Sequence, residues 1–264
     1  AVLTNCVVRD NVALSNGGGA SGGSLFDCTI TNNIAYQNGG GVTRSTIEDC
    51  TISGNSAYSL GGGVNASKCT CCEIASNSAT LSGGGAGGLS VLDNCVIRDN
   101  KVLTGNGGGC VSSDANNCTI FGNQAADYGG GVSNEGSHKL VNCIVYGNSA
   151  AKGNNAISGG VTQNCCTDDP HFIRAEAGDF RLRCDSPCID AGNNAYVTNT
   201  VDFAGNARVV NNKVDIGAYE FSASLDRHFT VQVANGTGGA IYYEGDTVTI
   251  AAEDRSPRYS FVRW

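Results

Sequence analysis

One fifteen-residue pattern recurs along this chain and limits its possible folds more than any other feature. It reads CTITNNIAYQNGGGV from Cys28, CTISGNSAYSLGGGV from Cys50 and CTIFGNQAADYGGGV from Cys118. In each copy the cysteine is followed by an isoleucine two residues later, an asparagine five residues later, and then a glycine triplet. A pattern that returns at a regular period is explained first as a structural repeat, before any reactive or phosphate-binding site is considered.

The cysteines and asparagines give the period of the repeat. The cysteine ladder, with spacings of 22 to 25 residues, comprises Cys6, Cys28, Cys50, Cys72, Cys95, Cys118, Cys143 and Cys165. The asparagine ladder comprises Asn11, Asn33, Asn55, Asn77, Asn100, Asn123 and Asn148. Short alternating segments at this period, without helix-forming runs, predict an all-β, right-handed parallel β-helix over residues 1–167. Leucine-rich repeats have a similar length, but their leucine frame is absent.

The alternation within one repeat predicts which side chains point inwards. Cys50 and Ile52 lie on one face of a strand and Thr51 on the other. Coils stack about 4.8 Å apart, so eight coils make a rod of roughly 35–40 Å. We expect each ladder asparagine to adopt a left-handed turn and to bond to the asparagines above and below it. The glycine triplets allow corners where a Cβ atom would clash.

Charge and composition exclude two classes of partner. The chain has a formal net charge of -8 and a pI of about 4.8, so it lacks the basic footprint of nucleic-acid binding. No apolar run approaches the roughly 18 residues of a membrane span, so no membrane insertion is expected. Fourteen cysteines favour an oxidising compartment.

The repeat resembles a known family. The segment from Ile52 to Asn55, followed by the glycines and Val64, is similar to the Phe-x-x-Asn and Gly-Gly-Ala-Ile repeats of chlamydial polymorphic outer-membrane proteins. More broadly it resembles the pectin-lyase-like right-handed parallel β-helices. This chain differs by using Ile or Val in place of Phe, and a third Gly in place of Ala. The resemblance implies the same fold.

A second resemblance follows the repeats. SPCIDAGNN at residues 186–194, DFAGNAR at 202–208 and DIGAYE at 215–220 resemble the choice-of-anchor Q domain. The preceding DPHF and GDFRL segments fit the same pattern. That module ends β-helical regions of large bacterial surface proteins. The resemblance therefore implies that residues 168–221 cap the β-helix of an exported, surface-displayed protein, and it implies no known reaction.

Residues 222–264 have a different character. The segment HFTVQVANGTGGAIYYEGDTVTI alternates like β-strands around Asn235-Gly236 and Glu244-Gly245 turns. It resembles the first part of an InlB-type B-repeat, a small extracellular β module. We expect a partial β module here, which implies that the natural protein is longer or is processed at Trp264.

The cysteines permit several roles. We expect the ladder cysteines, and Cys110 after a glycine triplet, to pack as small buried apolar residues. Outside the ladder, Cys184 is a candidate disulfide partner of Cys188 or Cys166. The CTCC run at residues 69–72 is a poor zinc site, because its spacing is wrong and no histidine lies nearby.

A group of acids near one arginine marks the expected cap. Its members are Asp190, Asp202, Arg208, Asp215 and Glu220. Such a group either binds calcium or forms a buried ion-pair network, and structural capping through bonds to turn amides is the favoured interpretation. We expect no other cofactor or metal.

No residue pattern nominates a catalytic site. Acids are sparse in the coils, His138, His171 and His228 do not cluster, and polygalacturonase-like signatures are absent. The favoured hypothesis is a non-enzymatic, extracellular structural or adhesive scaffold at a bacterial surface, with glycans or host proteins as partners. One alternative is a β-helix that binds or cleaves polysaccharides. Another is a filament subunit that stacks end to end on itself.

Overall fold

A computed structural model describes residues 1–223, 227–234, 236–243 and 246–252 of the chain. Its contacts divide the chain into two units, Ala1–Phe221 and Ser222–Trp264. The first unit contains three sheets whose neighbouring strands come from successive repeats and run parallel. The predicted all-β parallel β-helix is therefore confirmed. No helix in the described ranges is long and apolar enough to cross a membrane.

Sheet B consists of the three residues that follow each ladder cysteine. Its strands are Val7–Arg9, Thr29–Thr31, Thr51–Ser53, Glu73–Ala75, Val96–Arg98, Thr119–Phe121 and Ile144–Tyr146. The register aligns the central β-branched residues, as in Ile30 opposite Ile52. These side chains point inwards, and Ile52 and Ile74 have no exposed surface. The period-2 alternation therefore fills the core from this sheet.

Sheet C follows the asparagine ladder and is made of two-residue strands. They are Val12–Ala13, Ile34–Ala35, Ser56–Ala57, Ser78–Ala79, Lys101–Val102, Gln124–Ala125 and Ser149–Ala150. Each pairs in parallel with the next, as Ala35 does with Ala57. Since sheets B and C have seven strands each, seven coils are complete. The expected eighth coil is not, because Cys166 forms only an isolated bridge with Ile144.

Sheet A divides into two arms. It begins with Val2–Thr4 and the long strands Ala20–Phe26 and Val42–Glu48. A two-residue arm continues as Val64–Asn65, Ala86–Gly87, Cys110–Val111, Val132–Ser133 and Ile157–Ser158. A three-residue arm continues as Lys68–Thr70, Val91–Asp93, Asp114–Asn116, Lys139–Val141 and Val161–Gln163. The arms separate at Ala66, whose φ of 49° interrupts the strand.

The ladder cysteines form part of the core and also bond to the backbone. Cys50 is 2% exposed and belongs to the main apolar cluster. Its thiol donates to the Glu48 carbonyl at 3.1 Å, and its sulfur accepts the Cys28 amide at 3.2 Å. The thiol thus pairs polar backbone groups at a buried corner, which an alkyl side chain of the same size does not do.

The ladder asparagines link successive coils through buried hydrogen bonds. Asn55 Oδ1 accepts both the backbone amide and Nδ2 of Asn33, at 2.9 and 3.0 Å. Its Nδ2 donates to Asn77 Oδ1 at 3.0 Å and to the Ile30 carbonyl at 2.9 Å. The left-handed residue expected at the ladder position lies one residue earlier, where Gly54 has a φ of 65°. The turn thereby directs the asparagine side chain inwards.

The glycine triplets lie where neighbouring coils approach most closely. Gly61 has a φ of +67°, a conformation that L-residues rarely adopt. A Cβ atom on Gly62 would lie 2.3 Å from the carbonyl oxygens of Gly84 and Ser78. The middle glycine is therefore required by contact with the next coil.

Residues 168–221 and the second unit contain few regular elements. In the first unit, Phe172–Arg174 pairs antiparallel with Asp179–Leu182 around the 3₁₀ turn Ala175–Ala177, and a second turn is Asn194–Tyr196. In the second unit, His228–Val231 pairs antiparallel with Ala240–Tyr243, and Gly236–Thr237 with Ala251–Ala252. The turn residues Asn235, Glu244 and Gly245 and the terminal Trp264, on which the predicted repeat depends, lie outside the described residues.

We expect Cys50→Ala to lower the free energy of unfolding by about 1–2 kcal/mol, because it leaves a small cavity and removes the thiol bond to Glu48. Urea denaturation followed by circular dichroism measures the change. Cys6→Ala is the matched control, since Cys6 occupies the same ladder position in a more exposed coil. A loss of ligand binding by a fully folded Cys50→Ala protein would contradict the structural role.

We expect Asn77→Ala to be more destabilising, by about 3–5 kcal/mol, because it leaves several buried groups unpaired. The lost bonds include those to the Ile52 carbonyl at 2.9 Å and to Asn100 Oδ1 at 3.0 Å. Asn11→Ala, at the exposed first rung, serves as the control and should cost less than about 1 kcal/mol. Equal losses in the two variants, measured by denaturant unfolding, would be inconsistent with a ladder that acts through burial.

Candidate functional site

Residues 168–221, which we name the flank module, pack against the outer face of sheet B. Phe180 and Phe172 contact Phe121 of that sheet, with ring centroids 5.3 and 6.1 Å apart. The shared apolar cluster also includes Val96 and Ile144, outward-facing residues that the module buries. The module was expected to close the end of the β-helix. Its contacts in the structure lie along coils five to seven, because those coils present apolar side chains outwards.

Polar bonds attach the flank module along the same coils. Asn142 Nδ2 donates to the Asn193 carbonyl at 3.1 Å, and its Oδ1 accepts the Asn193 amide at 2.9 Å. The Ala218 amide donates to Thr119 Oγ1 at 3.1 Å. Asn94 Nδ2 donates to the Val201 carbonyl at 3.2 Å. These bonds bring an irregular segment to a defined position beside the repeats.

The predicted cap residues form a buried network inside this module. Arg208 is 1% exposed and forms an ion pair with Glu220 through Nη1 and Oε1. Its Nη2 donates to the Gly217 carbonyl at 2.6 Å. Burial lowers the pKa of Arg208. Burial, together with the nearby Asp215 charge, raises the pKa of Glu220 to about 8.

The aspartates of the network bind backbone amides. Asp215 accepts the amides of Asp190 and Phe221, each at 2.6 Å. Asp202 accepts the Asn206 amide at 2.7 Å and the Glu220 amide at 2.9 Å. Burial raises the pKa of Asp215 despite these bonds. Over the described ranges, no group of three or more His, Cys, Asp or Glu residues is placed to hold a metal ion.

A groove lies between the flank module and the three-residue arm of sheet A. We name this pocket of about 450 Å³ the lysine groove. It is lined by Lys68, Val91, Leu92, Asp93, Asp114, Ala115, Asn116, Lys139, Val141, Ala195, Tyr196 and Thr198. The sheet provides the floor, and the turn at Asn194–Tyr196 with Thr198 provides one wall. Register explains the alignment, because Lys68, Val91, Asp114 and Lys139 occupy one repeat position in successive strands.

The groove has a defined distribution of charge. Among the described residues neither Lys68 nor Lys139 is in an ion pair. Between them, Asp114 Oδ1 accepts the Lys139 amide at 2.8 Å and contacts His138 Nδ1 at 3.2 Å. Asp93 is bonded to Thr198, and burial raises its pKa. The arrangement offers two ammonium groups at the ends of a cleft whose acids already have partners.

The groove residues were not identified as a site from the sequence. Lys68 and Lys139 recur at one repeat position three coils apart, and this spacing was the available signal. No sequence pattern indicates that Tyr196 and Thr198 line the groove, because both residues belong to the irregular flank module.

In the described part of the chain, no two cysteine sulfurs lie at disulfide distance. Cys69, placed outside the ladder by its spacing, is fully buried in the core beside Leu92 and Ile47. Cys71 occupies a left-handed position with a φ of 50°. Of the three candidate disulfide residues, Cys188 belongs to the apolar cluster between sheet B and the flank module, and Cys166 packs against that cluster. A disulfide of Cys184 with Cys188 or with Cys166 stays a prediction.

The comparisons with known proteins add a likeness of architecture. No protein-family model matches this chain, and no curated protein matches it. A similar solved structure is the crystal structure of pectate lyase Pel9A, with a TM-score of 0.42 and 13% sequence identity. The alignment covers 82% of this chain and 72% of the lyase chain. The likeness identifies no activity.

Glu220 makes the stability of the flank module depend on pH. A carboxyl with a pKa raised to about 8 binds its proton more tightly when folded, so its stabilising contribution is complete below pH 4.5. That contribution is lost as the pH rises towards and through 8. We expect Glu220→Gln to flatten the fall in unfolding free energy between pH 5 and 8, whose slope reaches at most about 1.4 kcal/mol per pH unit.

Denaturant unfolding across this pH range measures the slope. Glu176→Gln is the control, because Glu176 is exposed in the same module. A slope in Glu220→Gln equal to that of the unmodified protein would refute the assignment.

Proposed function

We propose that this protein is a non-enzymatic, surface-displayed bacterial β-helix scaffold that binds an acidic glycan in the lysine groove. The observation that carries the proposal is a pair of lysines at the ends of an open cleft, Lys68 and Lys139, for which the described residues supply no ion-pair partner. Three strand spacings separate them, which is about 14 Å along the sheet. An extended chain of carboxylated sugars matches this arrangement, since it presents charges repeatedly along one direction.

The size and the lining of the groove fit such a ligand. A volume of about 450 Å³ lies within the roughly 300–1,000 Å³ of known small-molecule sites. Val91 and Tyr196 provide apolar surface for the C–H faces of sugar rings. Asn116 also lines the pocket, and its Nδ2 bonds to the Tyr196 carbonyl and so joins the floor to the wall.

The bonding of the groove acids favours binding over cleavage. Glycoside hydrolysis needs a general acid and a second carboxylate on opposite sides of the bond. Asp114 instead accepts two bonds, from the Lys139 amide of the neighbouring strand and from His138 just before that strand, and Asp93 is bonded to Thr198. We therefore infer that a polysaccharide is held without being cut.

The resemblances to choice-of-anchor Q and InlB-type modules support surface display. Both occur in exported bacterial proteins, where a rigid β-helix holds a binding surface away from the cell. End-to-end assembly into filaments stays a prediction, and sedimentation at high protein concentration tests it.

Isothermal titration with uronate oligosaccharides, and with neutral oligosaccharides of equal length, tests the proposal. We expect the acidic ligands to bind, with affinity that falls as salt is added, because the charges are exposed. Lys68→Ala combined with Lys139→Ala should weaken binding about tenfold, which corresponds to about 1.4 kcal/mol.

Lys101→Ala is the matched control, because Lys101 is an exposed strand lysine on sheet C. An equal effect of this control, or equal binding of neutral ligands, would place the site elsewhere. Release of shorter sugars during incubation would overturn the non-enzymatic assignment.

A further inference from the structure

We propose that the outer face of sheet C binds the same face of a second copy of this chain, in an antiparallel side-by-side dimer with its two-fold axis near Tyr58. The proposal is independent of glycan binding, because the lysine groove lies beside the three-residue arm of sheet A. Three observations support it: exposed apolar residues are aligned from coil to coil, their combined area is large, and almost no charge lies among them.

Hydrogen-bonded register aligns these apolar residues along the rod. Val12 pairs with Ile34 in one column of outward-facing residues. In a second column, the Tyr58 amide donates to the Ala35 carbonyl at 3.1 Å, and the Tyr36 amide makes the same bond to coil one at 3.0 Å. The outward residues of coils one to five, which we name the sheet C face, are Val12, Leu14, Ile34, Tyr36, Ser56, Tyr58, Ser78, Thr80, Lys101 and Leu103.

The apolar members of the sheet C face are open to solvent. Their exposed fractions range from 44% at Ile34 to 85% at Leu14, with Tyr36 at 59% and Tyr58 at 62%. Together with Leu81 at the adjoining turn, they expose an area on the order of 800 Å², which is about what each partner buries in a standard protein interface. An apolar patch of this size marks an interaction site rather than ordinary surface.

The charge of the sheet C face fits a second copy of the same chain. The chain has a formal net charge of -8, yet the face contains no acidic residue, and Lys101 is its one charged member. In a two-fold dimer the same patch is used by both copies, so charges of one sign near the axis would repel each other. An uncharged face removes that repulsion between two acidic chains. A single lysine also gives an acidic glycan little reason to bind here.

The positions of the apolar and charged residues select the axis. Coil three lies midway along the face, so an axis perpendicular to the rod near Tyr58 sets coil one of each copy against coil five of the other. Leu14 then lies opposite Leu103, and apolar residues cover one another over about 20 Å of the rod. An axis parallel to the rod would instead place Lys101 of one copy against Lys101 of the other, which is unfavourable.

Sedimentation velocity of the full chain over a range of protein concentrations tests the proposal. We expect a monomer–dimer equilibrium in which the mass stops at two copies. Tyr58→Lys and Tyr58→Asp should each weaken the dimer by about tenfold or more, because like charges then meet near the axis. An equimolar mixture of the two variants should restore the association, because a lysine of one copy then meets an aspartate of the other.

Leu89→Lys is the matched control, because Leu89 is 69% exposed and lies outside the sheet C face. It should dimerise as the unmodified protein does, and circular dichroism checks that each variant is folded. The proposal is overturned if the unmodified protein stays monomeric at every concentration, if Leu89→Lys weakens the dimer as much as the Tyr58 variants, or if the mixed variants remain monomers. Growth beyond two copies would also overturn it, since that result indicates association through the coil ends. The unmodified protein decides between monomer, dimer and filament even if a variant does not fold.

Discussion

The hydrogen-bonded register between coils is the constraint on which the rest of this structure depends. Every coil supplies the partners of the next, and the buried asparagine ladder ties the register to side chains. Asn55 accepts two bonds from Asn33 and donates to Asn77. A coil shifted out of register would therefore leave several buried polar groups without hydrogen-bond partners. A one-residue slip would also turn Ile52 outwards. The near-constant repeat length follows from this coupling.

The periodic part of the fold was predictable because each rung repeats the same local physics. Alternation placed Cys50 and Ile52 inwards, and the glycine triplets marked close contacts between coils. The predicted position of the left-handed residue was wrong, because the prediction gave the ladder asparagine both the left-handed turn conformation and the inward-pointing hydrogen bonds. Gly54 makes the turn, and this frees Asn55 to point inwards. Asparagine can either adopt a left-handed turn or form a side-chain ladder, and the sequence pattern alone does not show which of the two roles a given asparagine has.

The placement of the flank module was not predictable to the same degree. The expectation of an end cap came from the resemblance of residues 186–220 to the choice-of-anchor Q domain. A signal for the flank was present, since Val96, Phe121 and Ile144 replace the outward Thr and Ser of earlier coils. In the sequence these apolar residues only interrupt the polar pattern of the outer face, and their role becomes clear once the flank module is seen to cover them. The lysine groove was only partly predictable for the same reason, because its floor belongs to the repeats and its wall belongs to the irregular flank module. Its floor is visible in the register of Lys68 and Lys139, while Tyr196 reaches it only through tertiary packing.

The fourteen cysteines show how surroundings, rather than spacing, decide the chemistry of one residue type. At a buried rung such as Cys50, the thiol donates to a nearby carbonyl and accepts an amide from the previous coil, so its hydrogen-bonding capacity is used within the core. At the junction with the flank module, the Cys166 thiol donates to the Asp168 carbonyl at 3.4 Å and packs against the apolar cluster that contains Cys188. The repeat thus stabilises the scaffold, and the proposed binding groove lies where the irregular segment meets it.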